Sequence, residues 1–237
     1  MSYSFNQAMQ PQSSHIPLVL LNTERRARFI LRAYLHLLLA ILAFGLTEIA
    51  LIQSGVSNQL LQLLLGLPWI LFFVGIIWVG WVASRVIRLT ESLLQQYITL
   101  AVFTVVESIL FLPLLFTAKT HLSVAIQNAA LLTLIGFLGL TVIVVITRRD
   151  FSLFSTMTLW VAMASLLLII ASLIFGFAPD TWVPVGMISV AGGAILRTTS
   201  RILRYYPEDR YVAAALELFA SLALLFWSVV RLCWRRN

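Results

Sequence analysis

The sequence predicts an all-α membrane protein, a seven-transmembrane-helix bundle with its last helix at the centre. Composition is the first of three observations behind that reading. Apolar residues make up 61% of the 237 residues, charged residues 11%, and mean hydropathy is +0.98, well beyond the range of soluble domains. Second, apolar runs of membrane-crossing length, about 20 residues each, recur between short connectors. Third, the basic residues stand at the ends of those runs. The net charge of +7 therefore reads as the positive-inside effect, and no nucleic-acid partner is expected.

The chain divides into an uncharged, polar tail over residues 1–23 and a helical domain over 24–237. The tail is rich in Ser and Gln, carries neither a presequence nor a secretory signal pattern, and is expected to be flexible and retained. Spans are expected at 28–51, 59–83, 92–116, 122–147, 152–175, 181–203 and 210–233. The first is entered through Glu24, Arg25, Arg26, Arg28 and Arg32. Gly66 and Pro68 weaken the second near its start. Asp150 or Ser152 can cap the fifth, and 175–184 reads as a turn carrying an interfacial Trp182.

Orientation follows from the arginines. A cytosolic N-terminus places positions 25, 26, 28, 32, 85, 88, 148, 149, 197, 201, 204 and 210 inside, leaving Lys119, Arg231, Arg235 and Arg236 outside. The asymmetry selects N-in. The three C-terminal arginines run against the rule, so a re-entrant last segment is the alternative to a seventh crossing.

Small residues recur at helical spacing on two spans: Ala129, Thr133 and Gly136 on the fourth, and Gly186, Ser189 and Gly193 on the sixth. Such rows let helix backbones approach closely in lipid. On the seventh span Glu217, Ser221 and Ser228 share one face while the rest is almost wholly apolar. A polar stripe on a membrane-length helix is expected to face protein or water, which makes this helix the central post.

Three carboxylates lie within the spans: Glu48, Glu107 and Glu217. An ionised group at mid-membrane costs about 2.5–3.5 kcal/mol on insertion scales, so each should be neutral, paired or beside water. For Glu217 the expected partner is Arg201, Arg197 or Arg85, and the competing reading is a titrating gate. Glu107, with Thr104 and Ser108 nearby, is expected to be a hydrogen-bonded acid, and the competing reading is a cation site shared with Glu48. Gln127 and Asn128 could add oxygen ligands to such a site, although solvation at a helix end explains them as well. His15, His36 and His121 share no ligand spacing. His36 is expected to hydrogen-bond within the bundle. Cys233 is the only cysteine, which excludes an intramolecular disulfide. Neither HExxH, a phosphate-binding loop, GxSxG nor a dinucleotide fingerprint occurs, so no catalytic residue or cofactor is expected, and whether a metal binds is open.

The run ITRRDFSLFSTMTLW at 146–160, which includes Arg149, Asp150, Phe151 and Ser152, resembles the TKKDFS segment of the Bax inhibitor-1 or transmembrane Bax inhibitor motif family. The preceding AALLTLIGFLGLT at 129–141 is similar to that family as well. The closing YYPEDRYVAAALELFASLALLFWSVVRL resembles the family's Y..DDYV.AALNLYLDIINLF..LLRL signature. Order and spacing agree over Arg25 to Trp234. The resemblance implies a seven-helix bundle enclosing the last helix. It also implies proton-sensitive calcium leak, sensed by paired aspartates in the sixth and seventh spans. Residue by residue, those aspartates fall on Thr198 and Ser221, and a neighbouring family asparagine falls on Leu224, so both sensor acids are missing. Glu217, one turn from Ser221 and about 6 Å nearer the cytosol, is a stand-in candidate. Bacterial relatives are associated with a membrane-anchored AAA protease. The expected role is accordingly that of a regulatory, partner-binding protein of the bacterial cytoplasmic membrane. A pH-sensitive calcium or cation leak with relocated carboxylates is the alternative.

Overall fold

The computed structural model describes residues 23–54, 62–64, 66–90, 92–121, 123–147, 161, 164 and 182–236. Six long helices occupy this part of the chain: α1 (Thr23–Gln53), α2 (Trp69–Leu89), α3 (Leu93–His121), α4 (Ser123–Thr147), α5 (Trp182–Tyr205) and α6 (Tyr211–Arg236). Among the described residues α1, α3, α4 and α6 are long and apolar enough to cross a membrane. The expected fifth span, the family motif Arg149–Asp150–Phe151–Ser152, His15 and the tail up to residue 22 lie outside the described residues, save that 161 and 164 are helical. The protein is an all-helical integral membrane protein, and this arrangement is consistent with a seven-helix bundle.

Helix boundaries differ from expectation where local chemistry intervenes. The second long helix starts at Trp69 instead of near 59, because Pro68 takes the N-cap position with extended backbone (φ −57°, ψ 133°). Proline lacks an N–H and disfavours helical geometry in the residue before it, so it suits a helix start and ends whatever precedes it. The first helix begins at Thr23, ahead of the arginine cluster, with Glu24 in its first turn, where a carboxylate meets the positive end of the helix dipole. The expected turn over 175–184 gives way to helix from Trp182 onward.

The centre of the bundle is α6. It packs against each of the other five described helices, and 89% of its membrane-length window is buried, against 17% for α1 and 28% for α4. The peripheral helices show one lipid face each. On α1, Leu31, Leu35, Leu38, Leu42 and Leu46 are exposed while Phe29, Ala33, Leu37 and Ala40 are buried, the two stripes that a 3.6-residue period produces. Glu48 continues the buried stripe and is itself buried.

Lipid tails are as apolar as leucine, so packing inside the bundle relies on close van der Waals contact and polar links. Aromatic rings supply part of the contact. Phe219 of α6 meets Phe44 and Phe103 edge-on at 6.0 and 5.7 Å, and Phe44 meets Phe111 at 5.3 Å. The small-residue row of α4 packs as expected: Ala129 and Thr133 are buried, and a Cβ at Gly136 would stand 3.7 Å from Leu225. The row expected on the sixth span packs only in part, with Gly193 buried and Gly186 half-buried. Ser189 is exposed and its hydroxyl returns to the Val185 carbonyl at 3.0 Å. Beside Gly193, the buried stripe of that helix is Val183, Met187, Ala191 and Ile195.

Candidate functional site

Chain direction brings one end of every described helix to the same side of the bundle, the starts of α1, α3 and α6 and the ends of α2, α4 and α5, and the arginines of α1, α2 and α5 gather there. Arg88 sits in the last turn of α2, Arg201 in the closing turns of α5, and Glu217 in the second turn of α6. The Arg88 Nη1 donates to Glu217 Oε1 at 2.9 Å, and Arg201 Nη2 donates to Glu217 Oε2. Both carboxylate oxygens are thus committed, and the acid is buried, 3% exposed. The ion pair expected for Glu217 exists with Arg201. Its second arm comes from Arg88 instead of Arg85 or Arg197, both of which are exposed. Arg88 lies one turn nearer the helix end, at the depth of the acid.

The clamp is braced from outside. Arg210, immediately before α6, donates from Nη1 to the Arg88 carbonyl at 2.8 Å, satisfying one of the carbonyls that a helix C-terminus leaves open. Arg26 of α1 reaches the Leu203 carbonyl at 3.5 Å, and Arg25 pairs loosely with Glu208 at 3.8 Å. His36 forms the hydrogen bonds expected of it, with the Arg32 carbonyl at 2.7 Å and the Tyr97 hydroxyl at 2.8 Å. Its ring also lies tilted against that of Tyr211, with centroids 5.0 Å apart, and Arg32 lies over the Tyr211 ring at 5.7 Å. Tyr206, in the turn between α5 and α6, is buried beside the clamp. Burial first, and then the negative charge of Glu217, raise its phenol above the ordinary tyrosine value.

Above the clamp, Ser221 and Thr198 come together. The Ser221 hydroxyl donates to the Glu217 carbonyl at 2.9 Å and lies 3.5 Å from the Thr198 hydroxyl. These two positions, on α6 and α5, are the ones onto which the resemblance carried a pair of aspartates. The tertiary structure makes them neighbours, and both are neutral hydroxyls. Leu224, in place of the family asparagine, is buried, while Ser228 turns back to the Leu224 carbonyl at 2.7 Å. The polar stripe of α6 therefore closes on its own backbone, and the apolar body of the helix continues above it.

Deeper in the bundle stand the other two acids. Glu48 and Glu107 are buried, and among the described residues none of their carboxyl oxygens has a hydrogen-bond partner. The hydrogen-bonded state expected for Glu107 is thus absent: Thr104 and Ser108 spend their hydroxyls on the Leu100 and Thr104 carbonyls, at 2.9 Å each, the i−4 pattern by which small hydroxyl residues satisfy themselves in a helix. Gln127 and Asn128 are exposed. Among the described residues no group of three or more His, Cys, Asp or Glu side chains is placed to hold a metal ion.

The members missed by sequence reasoning were Arg88, Tyr206 and Arg210 as parts of one site. Arg88 and Arg210 were legible only as cytosolic-side charges, and nothing in the pattern tied Tyr206 to an acid on the next helix. No curated protein matches the chain. The family described as inhibitor of apoptosis-promoting Bax1 matches residues 26–237, nearly the whole length, in agreement with the motifs in the fourth, fifth and last spans. The chain belongs to the Bax inhibitor family of membrane proteins, with hydroxyl residues at the two positions where the resemblance places the sensor acids.

Proposed function

We propose that this protein is a regulatory, partner-binding member of its family, whose bundle is held shut at the basic end. The observation that supports this reading is the Glu217 clamp beneath the Thr198–Ser221 pair. A proton-gated passage needs a group that changes charge where the passage narrows. Here the paired positions carry hydroxyls 3.5 Å apart, and the nearby acid is tied at both oxygens to arginines of two different helices. The partner class implied by bacterial relatives is a membrane-anchored AAA protease, and the uncharged residues 1–23 suit an unfoldase that needs a loose end. The arginines gathered around the clamp support a cytosolic position for this end, in a bacterial cytoplasmic membrane. No catalytic role or cofactor is proposed.

Two experiments test the reading together. Deleting residues 1–20 is expected to alter the protein's turnover by, or association with, a membrane AAA protease. Liposomes carrying the wild-type protein are expected to show no pH-dependent calcium release. Release that depends on pH, together with unaltered turnover and association of the deletion variant, would reject the proposal. A second reading, a pH-sensitive calcium or cation leak with relocated carboxylates, is favoured by one observation, the two buried and unpartnered acids Glu48 and Glu107. Unchanged divalent-ion binding in the Glu48→Gln/Glu107→Gln double variant would end it.

A further inference from the structure

The basic end of the bundle contains a cavity of about 300 Å³ lined by Arg88, Arg201, Tyr205, Tyr206, Pro207 and Arg210. Its charge is unbalanced. Three guanidiniums line it, and the acid bonded to two of them is Glu217. The acids of the adjoining turn do not redress this, since Glu208 pairs with Arg25 and Asp209 is exposed. A surplus of positive charge at a membrane-facing helix end attracts anions.

Its donors are also unspent. Arg88 and Arg210 each commit Nη1, and Arg201 commits Nη2, so the remaining N–H groups of three planar forks are left over. Two of the polar atoms of lining residues are buried with no hydrogen-bond partner: Arg201 Nε and the Tyr206 hydroxyl, on a side chain only 7% exposed. Buried donors are satisfied in native proteins with few exceptions, so these two mark a position that an acceptor should fill. Ala213, which also lines the cavity, belongs to the first turn of α6. That turn carries no acidic residue and presents the positive, donor-rich end of the central helix.

We infer that this cavity binds a phosphate group, on a lipid headgroup or on a soluble phosphate compound. Guanidinium forks bind phosphate through paired N–H···O bonds. The surplus of positive charge matches the one to two negative charges such a group carries near neutral pH, whereas a lone carboxylate would leave part of it unbalanced. The site stands whether or not the bundle conducts ions, because it lies beside the clamp and needs no path through it.

The test uses the full chain in a neutral detergent and in vesicles. Inorganic phosphate, titrated at constant ionic strength, gives one arm, read as a saturable rise in melting temperature. Phosphatidylglycerol against phosphatidylcholine gives the other, read as retention of the lipid by native mass spectrometry. Saturable binding in the first arm alone identifies a soluble phosphate compound, in the second alone a lipid headgroup, and either supports the site. Arg210→Gln is expected to weaken binding about tenfold, as loss of one charge-assisted contact does, and Arg210→Lys less, since it keeps the charge without the fork. Tyr206→Phe removes a hydroxyl that lies beside Glu217 and Arg201 without a hydrogen bond of normal geometry to either, so it should lower affinity in a chain that still folds. Arg197→Gln, at the same end but exposed and outside the cavity, should bind as the wild type does. Absence of saturation in both arms, unaltered affinity in both Arg210→Gln and Tyr206→Phe, or an equal loss in Arg197→Gln would overturn the assignment.

Discussion

Replacing Glu217 with Gln removes the charge that two guanidiniums share. Deleting one partner of a fully buried ion pair costs about 3–5 kcal/mol, while exposed pairs contribute about 0.2–1 kcal/mol. This cluster lies between those limits. The acid is 3% exposed, but the side chains of Arg88 and Arg201 keep 37% and 30% of their exposure, so once released both can turn toward water. The expected loss is about 2–3 kcal/mol, equivalent to about 4–12 °C in melting temperature for a chain of this size. Thermal unfolding of the purified protein, followed by fluorescence, measures it. A double-mutant cycle with Arg201→Gln should give a coupling energy of about 0.5–3 kcal/mol, because removing both partners leaves fewer unpaired groups than removing one. The loss should also persist at high salt, since a pair enclosed by helices is screened much less than an exposed one. A Glu217→Gln protein that melts with the wild type would refute the clamp as a structural element, and with it the argument that the basic end is held shut.

Other perturbations test the packing around the central helix. Phe219→Ala removes a ring that meets two others edge-on and is 3% exposed; it should destabilise the protein by about 3–5 kcal/mol, read as loss of folded protein on size-exclusion after mild heating. At Gly136, alanine should be tolerated, because a Cβ there would stand 3.7 Å from Leu225. Leucine at the same position should cost about 1–3 kcal/mol through overpacking, and equal melting temperatures for the two variants would contradict the close approach of α4 and α6. Tyr206 should resist ionisation when pH rises past the ordinary tyrosine value of 10.0. The neutral phenol is the form the fold favours, so its contribution is complete below that value and declines as alkali ionises the unfolded chain first. An ultraviolet titration of the wild type against Tyr206→Phe, showing a step removed at the ordinary value, would contradict the buried placement.

The charge pattern carried information about the site only to a certain depth. Counting arginines told which end of each helix is basic, and the acid-and-serine stripe of α6 told which helix must be enclosed. Neither could choose between Arg85 and Arg88, one turn apart on α2 and equal as charges. The choice is made by the depth and rotation of α2 against α6, which depend on every side chain between them. Glu107 failed differently. Its neighbours Thr104 and Ser108 are suitable partners in sequence, yet both bond to carbonyls one turn back along the same helix, a local competition that composition does not reveal. The row at Gly186, Ser189 and Gly193 had the spacing of a packing face, but only Gly193 is fully buried, and the stripe of Val183, Met187, Ala191 and Ile195 shares the inward side.

By itself the sequence determined the class, the family, the identity of the central helix and the replacement of the sensor acids by Thr198 and Ser221. It could do so because a bilayer constrains length, polarity and charge one segment at a time. Only the tertiary structure decided that Glu217 is gripped by Arg88 as well as Arg201. It alone placed Thr198 beside Ser221, and alone joined Tyr206 and Arg210 to the same basic cavity. Those are relations between helices, fixed by how whole surfaces pack, and no local pattern contains them.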